Sequence, residues 1–201
     1  MKAGIIGLPK TGKTTIFNAL TQGERNTDKY APPSLEANIG VVQVADERID
    51  KLSELYKPKK TISATIEYHD YPGIFYKESE TSETALLSDI KNAEAFILVL
   101  RGFRDEELEG LYPLDTPLEQ FQHFQEEMLL YDLIIAEKRL EKIKLGYKRG
   151  VKTPAVQIEE KALHKIVDCL QINKPIKSIE LDNEEEKAIR GFQFFSAKPM
   201  L

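Results

Sequence analysis

Apolar positions along this chain follow two different periods, and the change between them divides it into an α/β front and a helical back. Lys2 to Ile6 reads as a first strand, apolar without alternation, as in a strand covered on both faces. Lys13 to Thr21 follows as a helix through Ile16, Phe17 and Leu20, ending near Gly23. Glu24 to Ala37 is polar, carries Pro32 and Pro33 and keeps neither period, which predicts a mobile loop. Asn38 to Val44 predicts a strand, Asp46 to Tyr56 a short amphipathic helix, and Thr61 to His69 a β-rich run that ends at Asp70. Residues 71 to 88 are again irregular, with Glu78, Glu80 and Glu83 among serines and threonines, and read as a second mobile loop. Ala95 to Leu100 is a continuous apolar run, expected inside a mostly parallel sheet.

From Thr116 the period becomes helical: Phe121, Phe124, Met128, Tyr131 and Ile135 step by three and four, and charges dominate through Lys144. Gly146, Gly150 and Pro154 predict the break, and Ile158, Ala162, Ile166 and Leu170 resume the spacing on a second helix. The pair predicts an antiparallel hairpin, whose stripe serves as a mutual packing seam or as a docking face. Asp182 to Arg190 reads as a short acidic helix with Glu184, Glu185 and Glu186 in a solvated first turn. Phe194 to Leu201 reads as the beginning of another strand, left unfinished, which suggests a truncated chain. The expected organisation is residues 1–114 with 191–201 as one α/β domain and 115–190 as a helical insertion.

Composition adds bounds. The 201 residues suit one α/β core plus an appendage. With 28 basic and 33 acidic residues, the net charge of -5 draws the chain neither to nucleic acid nor to an anionic membrane, so any RNA partner must use a local patch, and DNA is not expected. The start MKAGIIGLPK makes no signal peptide, because Pro9 and Lys10 interrupt it, and no 18-residue apolar stretch occurs; a cytoplasmic protein is expected. Cys169 is the only cysteine and sits among Ile166, Val167 and Leu170, as a packed thiol does.

The chemistry is carried by Gly7, Leu8, Pro9, Lys10, Thr11, Gly12, Lys13 and Thr14, which spell G-x-x-x-x-G-K-[ST] between the first strand and first helix. A triphosphate is rich in acceptors. Glycines let backbone N–H groups turn inward to it, and the helix N-terminus adds positive potential. Lys13 then reaches the β- and γ-phosphates, and the Thr14 hydroxyl is placed for Mg²⁺. The expected phosphate-facing set is Gly7, Pro9, Lys10, Thr11, Gly12, Lys13, Thr14 and Thr15.

The stretches GLPKTGKTTIFNALT, NIGVVQVADERIDKL and KPKKTISATIEYHDYPGI, with the terminal SAKPML, resemble the YchF branch of the Obg-like P-loop nucleotide hydrolases over nearly the whole chain. The resemblance implies a P-loop NTPase sheet with an inserted coiled-coil arm, Mg²⁺ dependence, slow hydrolysis of GTP or ATP and association with the ribosome or its RNA through the arm. It also places Asp70 and Gly73 in a D-x-x-G motif, Asp70 toward the Mg²⁺ shell and the Gly73 N–H toward the γ-phosphate. Taken alone, Asp70 is a strand-end turn carboxylate. Ser34 falls where the family has the threonine of its first switch, a further Mg²⁺ contact; taken alone it is a turn residue after two prolines.

Several departures bear on activity. Ile74 follows Gly73 where small GTPases place a water-orienting glutamine, which implies slow hydrolysis. The second switch, YKESETSETALLSD, has no glycine, so switching is altered or lost. Lys10 stands where the family has an asparagine able to help hold a monovalent cation; its ammonium either takes that catalytic place or points to solvent. Base recognition is expected beyond Leu201, which implies similar, weak affinity for ATP and GTP. An interaction module acting through the arm is the competing reading. A small-molecule kinase is disfavoured, because nothing resembles an arginine-rich lid.

Overall fold

A computed structural model describes residues 1–23, 37–73, 86–106 and 116–201, which form two compact units: Met1–Leu114 with Met200–Leu201, and Asp115–Pro199. The first unit is built on four strands, β1 (Lys2–Ile6), β2 (Asn38–Gln43), β3 (Thr65–Asp70) and β4 (Ala95–Leu98), in the order β2-β3-β1-β4. β1 runs parallel to β3 and β4, while β2 lies antiparallel on β3 at the edge. Patterning explains the positions. Central β1 is buried from Ala3 onward, whereas β2 alternates between half-buried and exposed residues, as an edge strand with one open face does. Helix α1 (Lys13–Thr21) packs on β1, β2 and β3 and contributes Phe17 to a core with Ile5, Ile6, Tyr71 and Phe96. Helix α2 (Glu47–Tyr56) is capped by Asp46, which accepts from Arg48 N, and leaves Leu52, Leu55 and Tyr56 exposed. Within the second irregular stretch, residues 86–90 are helical, and Leu87 and Ile90 are buried.

The second unit pairs α3 (Pro117–Lys148) with α4 (Pro154–Gln171). Thr116 and Glu119 form a reciprocal capping box at the start of α3. Its apolar contact line is Leu129, Ala136, Leu140 and Ile143 against Ala162, Leu163, Ile166 and Leu170. The expected stripe is therefore only partly correct. Phe124 and Met128 are buried, but Phe121 is 38% exposed and the seam runs instead through Asp132, Ala136 and Leu140. Gly146 does not break α3. Its carbonyl accepts from the N–H groups of Arg149 and Val151, and Gly150, at φ +80°, supplies the left-handed residue that ends the helix. Arg139 and Tyr147 of α3 bind Glu159 and Glu160 of α4, which fixes the antiparallel pairing.

Two buried carboxylates hold the rest of this unit. Asp132 is fully buried and accepts from Phe195 N, Ser196 N and Ser196 Oγ at 2.8–2.9 Å. Phe194 joins the helical core, so residues 191–199 pack in this unit rather than with the sheet. The expected last strand shrinks accordingly to one parallel bridge, Phe96 to Met200. Helix α5 (Asn183–Ile189) begins at Asp182, but Glu185 in its first turn is not solvated. It is buried, at 2.9 Å from Lys161 Nζ and 2.7 Å from Lys165 Nζ, and it accepts from Asp182 N. Cys169 is buried, its thiol 3.2 Å from the Lys174 carbonyl oxygen. No helix among the described residues is long and apolar enough to cross a membrane.

Lys165, the Asp182 N–H and Lys161 hold the Glu185 carboxyl down to about 2. A depressed carboxylate stabilises above its ordinary range and loses that contribution as acid protonates it. Urea unfolding of the chain from pH 5 to pH 2 is therefore expected to show falling stability for wild type and a flatter profile for Glu185→Gln. Parallel profiles would remove Glu185 from the account.

Candidate phosphate-binding site

The loop from Gly7 to Gly12 leaves the C-terminal end of β1 and turns directly into α1, so the first N–H groups of that helix face the loop's hollow. Its shape depends on close approaches. At Gly7, with φ +150°, an added Cβ would lie 2.4 Å from the Val99 carbonyl oxygen, and Gly12 holds φ +99°. Lys10 occupies the left-handed region at φ 59° without being glycine. Thr11 is buried and its hydroxyl donates to the Leu8 carbonyl.

Lys13 is 93% removed from solvent in this hollow, and its ammonium donates to the carbonyls of Leu8 at 2.8 Å and Gly7 at 3.3 Å. Burial lowers its pKa to about 8, against the pull of the Asp70 charge and with the Lys10 ammonium adding to the decrease. Parallel pairing places Asp70 opposite Ile5, beside the start of the loop. Its Oδ2 accepts from Thr14 Oγ1 at 2.8 Å and from Asn38 Nδ2 at 3.2 Å. Oδ1 is buried without a hydrogen bond among the described residues. A buried acceptor beside a hydroxyl fits a hydrated Mg²⁺, a hard ion that keeps several waters and takes few protein oxygens. The described residues contain no cluster of three acidic, histidine or cysteine ligands.

Gly73 is where the strand-end segment meets the loop. An added Cβ there would stand 2.6 Å from Pro9 Cγ and from Pro9 N. Hydrogen bonds and close approaches thus bring Gly7, Pro9, Thr11, Lys13, Thr14, Asp70 and Gly73 together, while the Thr15 side chain is exposed. Ser34, Ile74 and most of the glycine-free segment lie outside the described residues. Asn38 was legible only as a strand start; its contact with Asp70 follows from the β2–β3 register, which pairs the two residues.

The family of 50S ribosome-binding GTPases matches residues 2–138. The ribosome-binding ATPase YchF of Bacillus subtilis is 32% identical over 203 residues, covering all of this chain and 55% of that protein. The protein of the same name from Pasteurella multocida is 32% identical over 202 residues, with the same coverage. Among solved structures, the Schizosaccharomyces pombe YchF GTPase aligns with a TM-score of 0.74 and 30% identity, over all of this chain and 55% of that one. The chain therefore spans about half the length of these relatives.

A polyphosphate in the hollow favours the ammonium form of Lys13, so binding near pH 8.5 takes up protons. In calorimetry of Mg²⁺·ATP or Mg²⁺·GTP, the observed heat should vary with buffer ionisation enthalpy at pH 8.5 and hardly at pH 6.5, and affinity should weaken as pH rises past about 8. Buffer-independent heats at both pH values would mean that the free protein already holds Lys13 charged.

Proposed function

Since the chain belongs to the family of 50S ribosome-binding GTPases, with the YchF proteins among its relatives, we propose that it binds a Mg²⁺–nucleoside triphosphate, ATP or GTP, hydrolyses it slowly, and works in the cytoplasm as a ribosome-associated switch. The observation that carries this reading is the buried Lys13 ammonium beside the Thr14–Asp70 pair. In the free loop Lys13 is satisfied by carbonyls of Gly7 and Leu8. Phosphate oxygens replace them as better acceptors, since a charge-assisted bond to an anion in a desolvated hollow is stronger than one to a neutral carbonyl.

Bound Mg²⁺ would supply positive charge to offset the negative charge of the phosphate oxygens. Thr14 and Asp70 are the residues that would hold it, with Ser34 as the expected third contact. The N–H of Gly73 reads the γ-phosphate from beside Pro9. Lys10 adds a second ammonium near the phosphates, where negative charge builds in the transition state. Ile74 offers no polar group to orient the attacking water, which keeps the intrinsic rate low.

At one hundred times its Kd, Mg²⁺·nucleotide stabilises a protein by about 2.7 kcal/mol, so wild type should show a raised melting temperature that Lys13→Ala loses. Asp70→Asn should weaken the Mg²⁺ requirement more than nucleotide affinity in chelator. Calorimetric binding by Lys13→Ala equal to wild type would falsify the phosphate site, and an unresponsive wild type would favour an interaction module.

Lys10 is tested separately by single-turnover hydrolysis in potassium and in sodium. A built-in cation leaves the wild-type rate indifferent to the ion and lets potassium stimulate only Lys10→Asn. Potassium stimulation of wild type excludes that role.

A further inference from the structure

We propose that Asn38 is a positioning residue that holds the Asp70 carboxylate with one oxygen free and so makes the site selective for Mg²⁺ over Ca²⁺; the inference rests on the nucleotide reading above. Asp70 is buried, and its two oxygens are treated differently. Oδ2 accepts from Thr14 Oγ1 at 2.8 Å and from Asn38 Nδ2 at 3.2 Å, while Oδ1 accepts no hydrogen bond among the described residues. The two donors come from different elements, Thr14 from the first turn of α1 and Asn38 from the start of β2. Val44 N donates to the Ala64 carbonyl, and antiparallel alternation then makes Asn38 and Asp70 a hydrogen-bonded pair with both side chains on one face of the sheet. That face meets α1: two residues along, a Cβ on Gly40 would stand 2.6 Å from Thr21 Cγ2 and 3.2 Å from Phe17 Cζ. The helix that carries Thr14 therefore also braces the strand that carries the amide.

The sheet does not depend on this contact. Backbone pairing with β3 runs along all of β2, from Asn38 to Gln43, and an apolar side chain at the first position leaves that ladder intact. What the amide adds is a second donor on Oδ2. With Thr14 alone the carboxylate has one tether and can turn to offer both oxygens; with two donors on the same oxygen, only Oδ1 is left to face a cation. The difference separates the two hard cations. Ca²⁺ is the larger, gathers more oxygens and takes carboxylates through one or both of them, whereas Mg²⁺ requires near-octahedral order, keeps several waters and takes few protein oxygens. A carboxylate limited to one fixed oxygen suits Mg²⁺ and penalises Ca²⁺. Thr14 remains available while tied to Asp70, because a hydroxyl that donates its one proton keeps lone pairs for a metal. The amide is also a neutral donor, so it orients the carboxylate without adding a positive charge that would compete with the cation.

The test is anisotropy of a fluorescent ATP or GTP analogue bound to the whole chain, titrated with Mg²⁺ and, separately, with Ca²⁺. The variants are Asn38→Leu, close in size but without a donor, Asn38→Gln, which keeps the amide, and Val42→Ala, which loosens the same face of β2 away from Asp70. Wild type should reach half-maximal binding at much lower Mg²⁺ than Ca²⁺. Removing the partner of a metal-holding carboxylate typically costs roughly 10- to 100-fold in metal affinity, so Asn38→Leu should need about tenfold more Mg²⁺ or beyond. Its Ca²⁺ requirement should change far less, which narrows the ratio of the two, and its affinity for the analogue in chelator should match wild type. Asn38→Gln should recover part of the ratio. Val42→Ala should melt lower and keep the ratio of wild type. Should Asn38→Leu fail to fold, Asn38→Ala carries the same expectation. An unchanged ratio on loss of the amide overturns the proposal, as does equal narrowing in Val42→Ala, loss of analogue binding in chelator, or a wild type indifferent to the choice of cation. A wild type that binds no analogue defeats the nucleotide reading and the inference with it, whereas Mg²⁺-dependent binding with an unchanged ratio in Asn38→Leu defeats the inference alone.

Discussion

The hydrogen bond from Thr14 to Asp70 is the constraint around which the first unit is arranged, because it joins the phosphate loop to a strand remote from it in sequence. It forms only if β3 lies parallel to β1 in the register that brings Asp70 level with Ile5. A shift of one residue would turn the carboxylate to the other face of the sheet and put His69 in its place. Edge strand β2 contributes to the same point, since its antiparallel register aims Asn38 at the same carboxylate oxygen. The glycines follow from the closeness this tie imposes: at Gly7 and Gly73 the neighbouring backbone or ring stands where a Cβ would be.

The second unit uses carboxylates for a different purpose. Asp132 and Glu185 are both removed from water, and each compensates for lost hydration with several donors: backbone and hydroxyl groups of residues 195–196 for Asp132, two lysines and an N-cap N–H for Glu185. A buried carboxylate that lacked such partners would be expelled or protonated, so each one specifies where a remote segment must sit. Asp132 keeps residues 195–196 with the helices, and Glu185 seats α5 on α4.

Cations divide in the same manner. Lys13 is desolvated, positioned by the helix that begins at its own residue, and shifted toward neutrality by burial. Lys138, Lys142, Lys144 and Lys148 remain in water on the outside of a helix pair whose seam is already closed by apolar contacts. The first kind of cation acts through position and low dielectric, and the second keeps its hydration.

The sequence by itself determined the boundaries of β1 and α1, the phosphate loop, the paired helices and the family resemblance, because each is written in contiguous residues: an apolar run, a glycine spacing, a period of three and four. It missed what depends on partners far along the chain. Phe194–Leu201 has the composition of a strand, yet Asp132 holds its middle residues against the helices and only its last two residues, Met200 and Leu201, reach β4. Glu185 reads as one of three solvated acids, yet Lys161 and Lys165 from the preceding helix bury it. Gly146 looks like a helix breaker, but its carbonyl receives two N–H groups from the turn, and the left-handed residue is Gly150. Local propensity sets which elements form; hydrogen bonds between distant residues decided where these segments end and what covers them, and no local pattern encodes the identity of such partners.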